Sequence, residues 1–159
     1  MSRVTRRPAH KPGSKVRESI VIDAPPDEVW RVIADPRNLP RWNPHVSAVY
    51  RVPEDGLKVG TRYETELRFA GAHARVDAEV VELELHRYSE IELSGPVWAT
   101  VRTFLRPIGS HQTRVEHEVE YRFRGGPIGG VVARVVRLFG APTLLRRGLR
   151  AQKVQVEEG

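Results

Sequence analysis

Ile22-Asp-Ala-Pro-Pro-Asp-Glu-Val-Trp-Arg-Val-Ile-Ala-Asp-Pro-Arg-Asn-Leu-Pro-Arg-Trp42 is the stretch whose reading decides the fold. Upstream of it, Lys15–Asp23 carries the β-branched run Ile20, Val21, Ile22 and reads as a first strand. Pro25 and Pro26 suit a first helical turn, where a missing N–H costs nothing. Asp27 and Glu28 then favour the positive end of that helix. Val29, Trp30, Val32 and Ile33 give a short amphipathic helix, which Pro36 ends by pushing its predecessor out of α geometry. Asn38–Trp42 reads as a second short helix or turn.

Downstream the period of the apolar residues becomes two. Val46–Val52 is a strand, followed by the turn Glu54-Asp-Gly56. In Thr61–Phe69 one face holds Tyr63, Thr65, Leu67 and Phe69, opposite Arg62, Glu64, Glu66 and Arg68. In Ala72–Leu85 one face holds Ala74, Val76, Ala78 and Val80; the apolar phase then moves to Val81, Leu83 and Leu85, as a β-bulge or sharp bend requires. Tyr88–Leu93 is a further strand. Val97–Arg106 leaves its inward face open, with Val97, Ala99, Val101, Thr103 and Leu105 against Trp98, Thr100, Arg102 and Phe104. Thr113–Phe123 sets Val115, His117, Val119, Tyr121 and Phe123 against a charged row.

Past Gly125–Gly130, read as a hinge, the period turns helical. Val131, Val132, Val135, Leu138, Leu145 and Leu149 form one stripe, with Pro142 expected to kink or split the helix. The order is thus one strand, two short helices, about six antiparallel strands and one long helix, Val131–Val154. That helix has only the concave face of the sheet to bury itself against.

The chain has 159 residues, enough for one domain with a single core. With no cysteine there is no disulfide framework and no thiolate-held metal. No apolar run approaches the roughly 18 residues of a membrane span. Met1–Ser14 is a basic tail expected to be disordered, and it lacks the apolar segment of a secretory signal, so a cytoplasmic location is expected. The formal charge of +6 is uneven: both ends are basic and the body between them is acidic. Such ends can meet an anionic membrane surface or an acidic partner. The plainer reading is a solvated face in an arginine-biased composition. Nucleic-acid binding is not expected, because the basic stretches lack interleaved aromatics.

Asp23-Ala-Pro-Pro-Asp-Glu-Val-Trp30, Trp42-Asn-Pro44, Val59-Gly-Thr61, Arg106-Pro107 and Thr113-Arg-Val115, in this order, resemble the START-like (SRPBCC) superfamily. The likeness covers residues 15–156 and is nearest to the bacterial polyketide cyclase/dehydrase and lipid-transport branch. It implies an α+β helix-grip fold: a seven-stranded antiparallel sheet wraps the C-terminal helix and encloses an apolar cavity. The aromatase/cyclase members usually carry extra tryptophan and a cavity arginine on the middle strands, which Tyr63–Phe69 and Ala74–Val80 here lack.

Within that frame, the candidate site residues follow from the inward faces. His117 is the inward side chain able to titrate near neutral pH, either as a general acid/base or as a wall residue that orients a ligand. Tyr63, Thr65, Thr103 and Tyr121 are hydroxyls among apolar walls, as in cavities that fix a ligand's orientation. Leu67, Val76, Val119, Val135 and Leu138 are the apolar lining, and Trp42 and Trp98 are candidates for the cavity mouth. No inward carboxylate, phosphate loop, nucleophile elbow or metal-spaced histidine pair occurs, so no cofactor or metal is expected. Three functions remain open: a binder of an apolar small molecule, a cyclase or dehydratase using His117, and an interaction module acting through the basic ends.

Overall fold

The computed structural model describes residues 14–69, 71–123, 130, 133–134 and 140–159. Strand β1 (Ser14–Ile22) leads into helix α1 (Pro26–Ile33), a 3₁₀ turn (Pro36–Asn38) and the four-residue helix α2 (Leu39–Trp42). Six strands follow: β2 (Val46–Tyr50), β3 (Arg62–Phe69), β4 (Ala72–Glu84), β5 (Tyr88–Ser94), β6 (Val97–Ile108) and β7 (Gln112–Phe123). Helix α3 (Ala141–Glu158) closes the described chain. The sheet has seven strands in the order β1-β7-β6-β5-β4-β3-β2, every neighbouring pair antiparallel. This is the helix-grip fold.

The opening run behaves as its prolines dictate. Pro26 starts α1, Asp27 and Glu28 occupy the first turn and Arg31 the last. Asp35 accepts a hydrogen bond from the backbone N–H of Arg37 at 3.0 Å and so caps the next turn. The Thr113 hydroxyl donates to the carbonyl of Ala24 at 2.8 Å in the buried interior, pinning the start of α1 to β7.

The bend foreseen in β4 is present: its pairing with β5 shifts register between Val80 and Glu82. Leu83 follows the new phase into the interior, but Leu85 does not and lies exposed, since the strand has ended at Glu84. On β6 the inward row is Ala99, Val101, Thr103 and Leu105. Of the two outcomes expected at Pro142, a kink or a split, the structure shows the second: the helix read as Val131–Val154 is not one span, because α3 begins at Ala141 with Pro142 in its first turn, where it removes no helical hydrogen bond. Gly140, at φ +76°, delivers the chain into that turn in a conformation only glycine adopts freely. Val131, Val132, Val135, Leu138 and the glycine run before Gly130 lie outside the described residues, as does the basic tail up to Gly13.

The main core sits at one end of the grip. Ile22, Ala24, Val29, Trp30, Leu105, Val115 and Leu149 pack together where α1 and α3 meet β1, β6 and β7. Each fully buried Val, Ile or Leu there contributes about 1.5–3 kcal/mol. A second cluster, Tyr63, Ala78 and Val80, lies under β5 and the turn before β3. With apolar packing concentrated in these two places, the middle of the concave face is left open to α3.

The convex face carries charge instead. Glu118, only 3 % exposed, is ion-paired with Lys15, Arg17 and Arg102, and Arg102 also reaches Glu90 at 3.1 Å. Arg146 of α3 pairs with Glu18 of β1 at 2.9 Å, so this arginine braces the grip.

Candidate functional site

Two chambers lie between the sheet and the helices. The inner one, about 310 Å³, is walled by Trp30, Ile33 and Leu39 from the short helices, by Leu67, Val76, Leu83, Ile91, Leu93 and Val101 from the strands, and by Leu145 of α3. The second, about 290 Å³, is bounded by Val16, Val97, Ala99, Tyr121, Phe123, Leu144 and Arg147, among others. Trp42, Asn43, Leu67, His117, Val119 and Leu145 line both. No charged side chain lines the inner chamber among the described residues. An unpaired charge there would carry a heavy desolvation cost.

The polar content of the inner chamber is small and ordered. The β6–β7 register sets Thr103 directly across from His117. Their side chains meet at 2.9 Å between Oγ1 and Nδ1. On the other side of the ring, His117 Nε2 stands 2.8 Å from Oε1 of Gln152 on α3. A carbonyl oxygen can only accept, so Nε2 carries the proton, and Nδ1 accepts from the Thr103 hydroxyl. The three side chains form one chain of hydrogen bonds, Thr103 to His117 to Gln152, spanning two strands and the helix. Burial pushes the imidazole pKa below its ordinary value, against the bond to Gln152, which favours the charged form. Burial thus favours the neutral form of the ring.

Tyr63 and Thr65 project from β3 into the same chamber, both buried. Burial raises the pKa of the Tyr63 phenol, so it stays a hydroxyl, able to donate as well as accept. Tyr121 lies in the second chamber, 5.4 Å from Phe123 between ring centroids.

Eight of the lining candidates read from sequence thus face the chambers together with His117: Trp42, Tyr63, Thr65, Leu67, Val76, Thr103, Val119 and Tyr121. Val135 and Leu138 fall outside the described residues. Trp98, considered for the mouth, stands on the convex face, where the Arg122 guanidinium stacks on it at 4.7 Å. The residue that sequence reading missed is Gln152. It sits in the charged run Arg150–Glu158, yet it continues the α3 stripe Leu145, Leu149, Gln152, Val156 at spacings of four, three and four. A polar side chain on an apolar stripe was the available signal.

Residues 14–157 match the family model described as polyketide cyclase / dehydrase and lipid transport. No curated protein matches the chain in sequence. Among solved structures, the Zhui aromatase/cyclase from Streptomyces sp. R1128 superposes with a TM-score of 0.71 at 16% identity, covering 91% of this chain and 94% of that one. A Thermus thermophilus protein gives 0.72 at 20% identity, covering 91% and 98%. A START superfamily protein from Mycobacterium smegmatis gives 0.68 at 14% identity, covering 91% and 97%. At such identities these likenesses speak to fold alone.

Proposed function

Starting from a chain that belongs to the polyketide cyclase / dehydrase and lipid-transport family, in the START-like superfamily, we propose that it binds a hydrophobic small molecule of lipid, isoprenoid or polyketide-like kind between the sheet and α3. The observation that carries this reading is the inner chamber of about 310 Å³, apolar on most of its wall and supplied with a few fixed polar groups. That combination is what ligand pockets share. A container of this sort holds its ligand by excluded water and shape, and sets its orientation through Tyr63, Thr65 and the Thr103–His117–Gln152 chain.

The test is native mass spectrometry of the purified protein, joined to titration with a neutral solvatochromic naphthalene probe. Leu67 lines both chambers, so Leu67→Trp should fill them and weaken probe binding at least about tenfold while leaving the thermal melt cooperative. Absence of any co-purifying molecule, together with no probe binding, would overturn the reading.

A second reading is favoured by the position of His117, whose ring borders both chambers. In it the protein is a cyclase or dehydratase, with His117 as general acid/base and Tyr63, Tyr121 and Thr103 orienting a carbonyl. The cavity would fold a flexible chain into a reactive conformer, a contribution of several kcal/mol without strong catalytic groups. It stands second because both ring nitrogens are already engaged by Thr103 and Gln152. His117→Gln separates the two: a catalyst loses turnover of a linear poly-β-ketone thioester and still binds it, whereas a binder changes affinity only slightly.

A further inference from the structure

Four buried side-chain polar atoms have no hydrogen-bond partner among the described residues. Two of them, Arg122 Nε and Gln155 Oε1, are not on chamber-lining residues. The other two are Gln152 Nε2 and Trp42 Nε1, and both residues line the inner chamber. Both atoms are donors and neither can accept. A buried donor left without an acceptor costs about 1–3 kcal/mol, so two of them on one chamber wall demand a cause.

For Gln152 the cause is built into its neighbours. The residue is 1 % exposed, and its Oε1 stands 2.8 Å from His117 Nε2, where an amide oxygen can only accept that nitrogen's proton. Turning the amide over would require the other tautomer of the ring, with Nδ1–H donating to the Thr103 hydroxyl and Nε2 accepting. In the arrangement the structure holds, the oxygen is engaged by His117 and the N–H₂ is left without a partner among the described residues. His117 and Thr103 act as positioning residues for the Gln152 amide.

We propose that Gln152 is a specificity-determining residue: its free N–H₂ donates to an acceptor oxygen of the ligand, which is a neutral carbonyl compound such as a ketone, ester or quinone. Trp42 Nε1 offers a second donor to the same class of molecule. A carboxylate is disfavoured, because no cation lines the inner chamber among the described residues and an unpaired anion there would be desolvated. A hydroxyl can also accept, yet it brings a proton of its own needing a partner. A pure hydrocarbon would leave both donors unpaired. This inference rests on the chamber being a binding site.

The experiment uses two neutral naphthalene probes of equal size, one with an alkyl ketone and one with the ketone replaced by an alkyl group. The intact protein is expected to bind the ketone about tenfold more tightly, the worth of one such hydrogen bond. The infrared carbonyl stretch of the bound ketone should lie below its position in alkane solvent. Gln152→Leu should cut both the preference and the shift to what Trp42 alone supplies, while the hydrocarbon probe binds at least as tightly as before, since one unpaired donor is gone. Should that variant fold poorly, Gln152→Met removes the N–H₂ at similar volume and brings no charge, with the same expected loss. Thr103→Val should reduce the preference partly, because the amide is then less firmly oriented. If both probes bind equally and Gln152 variants change nothing, Gln152 is no reader of carbonyls although the chamber still binds. If neither probe binds, the binding reading itself fails and this inference goes with it.

Discussion

His117 Nε2 lies 2.8 Å from Gln152 Oε1, so the last strand of the sheet is hydrogen-bonded through its ring to the middle of the C-terminal helix. Both partners line the inner chamber, and both are buried. Buried polar chains of this kind rigidify a structure when every member is satisfied and destabilise it when one is removed.

Thr103→Val tests the far end of that chain. It keeps the shape and deletes the hydroxyl that occupies His117 Nδ1, leaving a buried acceptor unpaired. The expected loss is about 1–3 kcal/mol of folding stability, read from the urea midpoint with an unchanged slope. An unchanged midpoint would mean that Thr103 does not hold the ring.

Acid should weaken the fold first through His117. Burial lowers its folded pKa beneath the ordinary 6.5, so between those two values the unfolded chain binds more protons than the native one. Stability from this group is present above pH 6.5 and is lost as pH falls from 6.5 to the folded pKa. Urea denaturation at stepped pH should show that slope, and His117→Phe should flatten it.

A second acid step belongs to the convex face. Desolvation by burial opposes ionisation of Glu118, but hydrogen bonds from Arg17, Lys15 and Arg102 outweigh it and bring its pKa from 4.5 down to about 2. Here too the unfolded chain binds more protons in the window, so stability declines between pH 4.5 and 2. Glu118→Gln should remove this lower slope, leave the His117 slope intact, and cost about 1–3 kcal/mol at neutral pH by stranding partly exposed cations.

Gly148 presents the opposite sign. It lies within α3, and a Cβ built there would meet the Trp42 indole at 3.7 Å, an ordinary van der Waals contact. Gly148→Ala should therefore raise stability by about 0.5–1 kcal/mol, through helix propensity and the smaller freedom of the unfolded chain. A calorimetric melt that moves downward instead would show that α2 cannot accept even a methyl group.

How much of this was legible follows from which forces act locally. Pro25, Pro26 and Pro36 announce the two short helices because proline acts on its own turn. The bend in β4 could be read at Val80–Val81, since a one-residue slip moves every later side chain to the other face. His117 could be placed on the inner face by alternation alone. Its partner could not, because residues 117 and 152 are joined only by the crossing of helix over sheet. Pro142 left a kink and a split both open for a related reason: the stripe continues across it, and periodicity alone cannot distinguish one kinked helix from the start of a new one. The depth of Glu118 was likewise hidden, as its row is uniformly charged and only the cations of β1 and β6 cover it.

Trp42, from a helix of only four residues, lines both chambers. Among the described residues the wall shared by the compartments is this indole with Asn43, Leu67, His117, Val119 and Leu145. Shifting a side chain from its preferred rotamer costs about 1 kcal/mol, far less than breaking a sheet. On the binding reading, a guest larger than either space of about 310 Å³ and about 290 Å³ is expected to be accommodated by side-chain rotation in this shared wall and not by movement of the sheet.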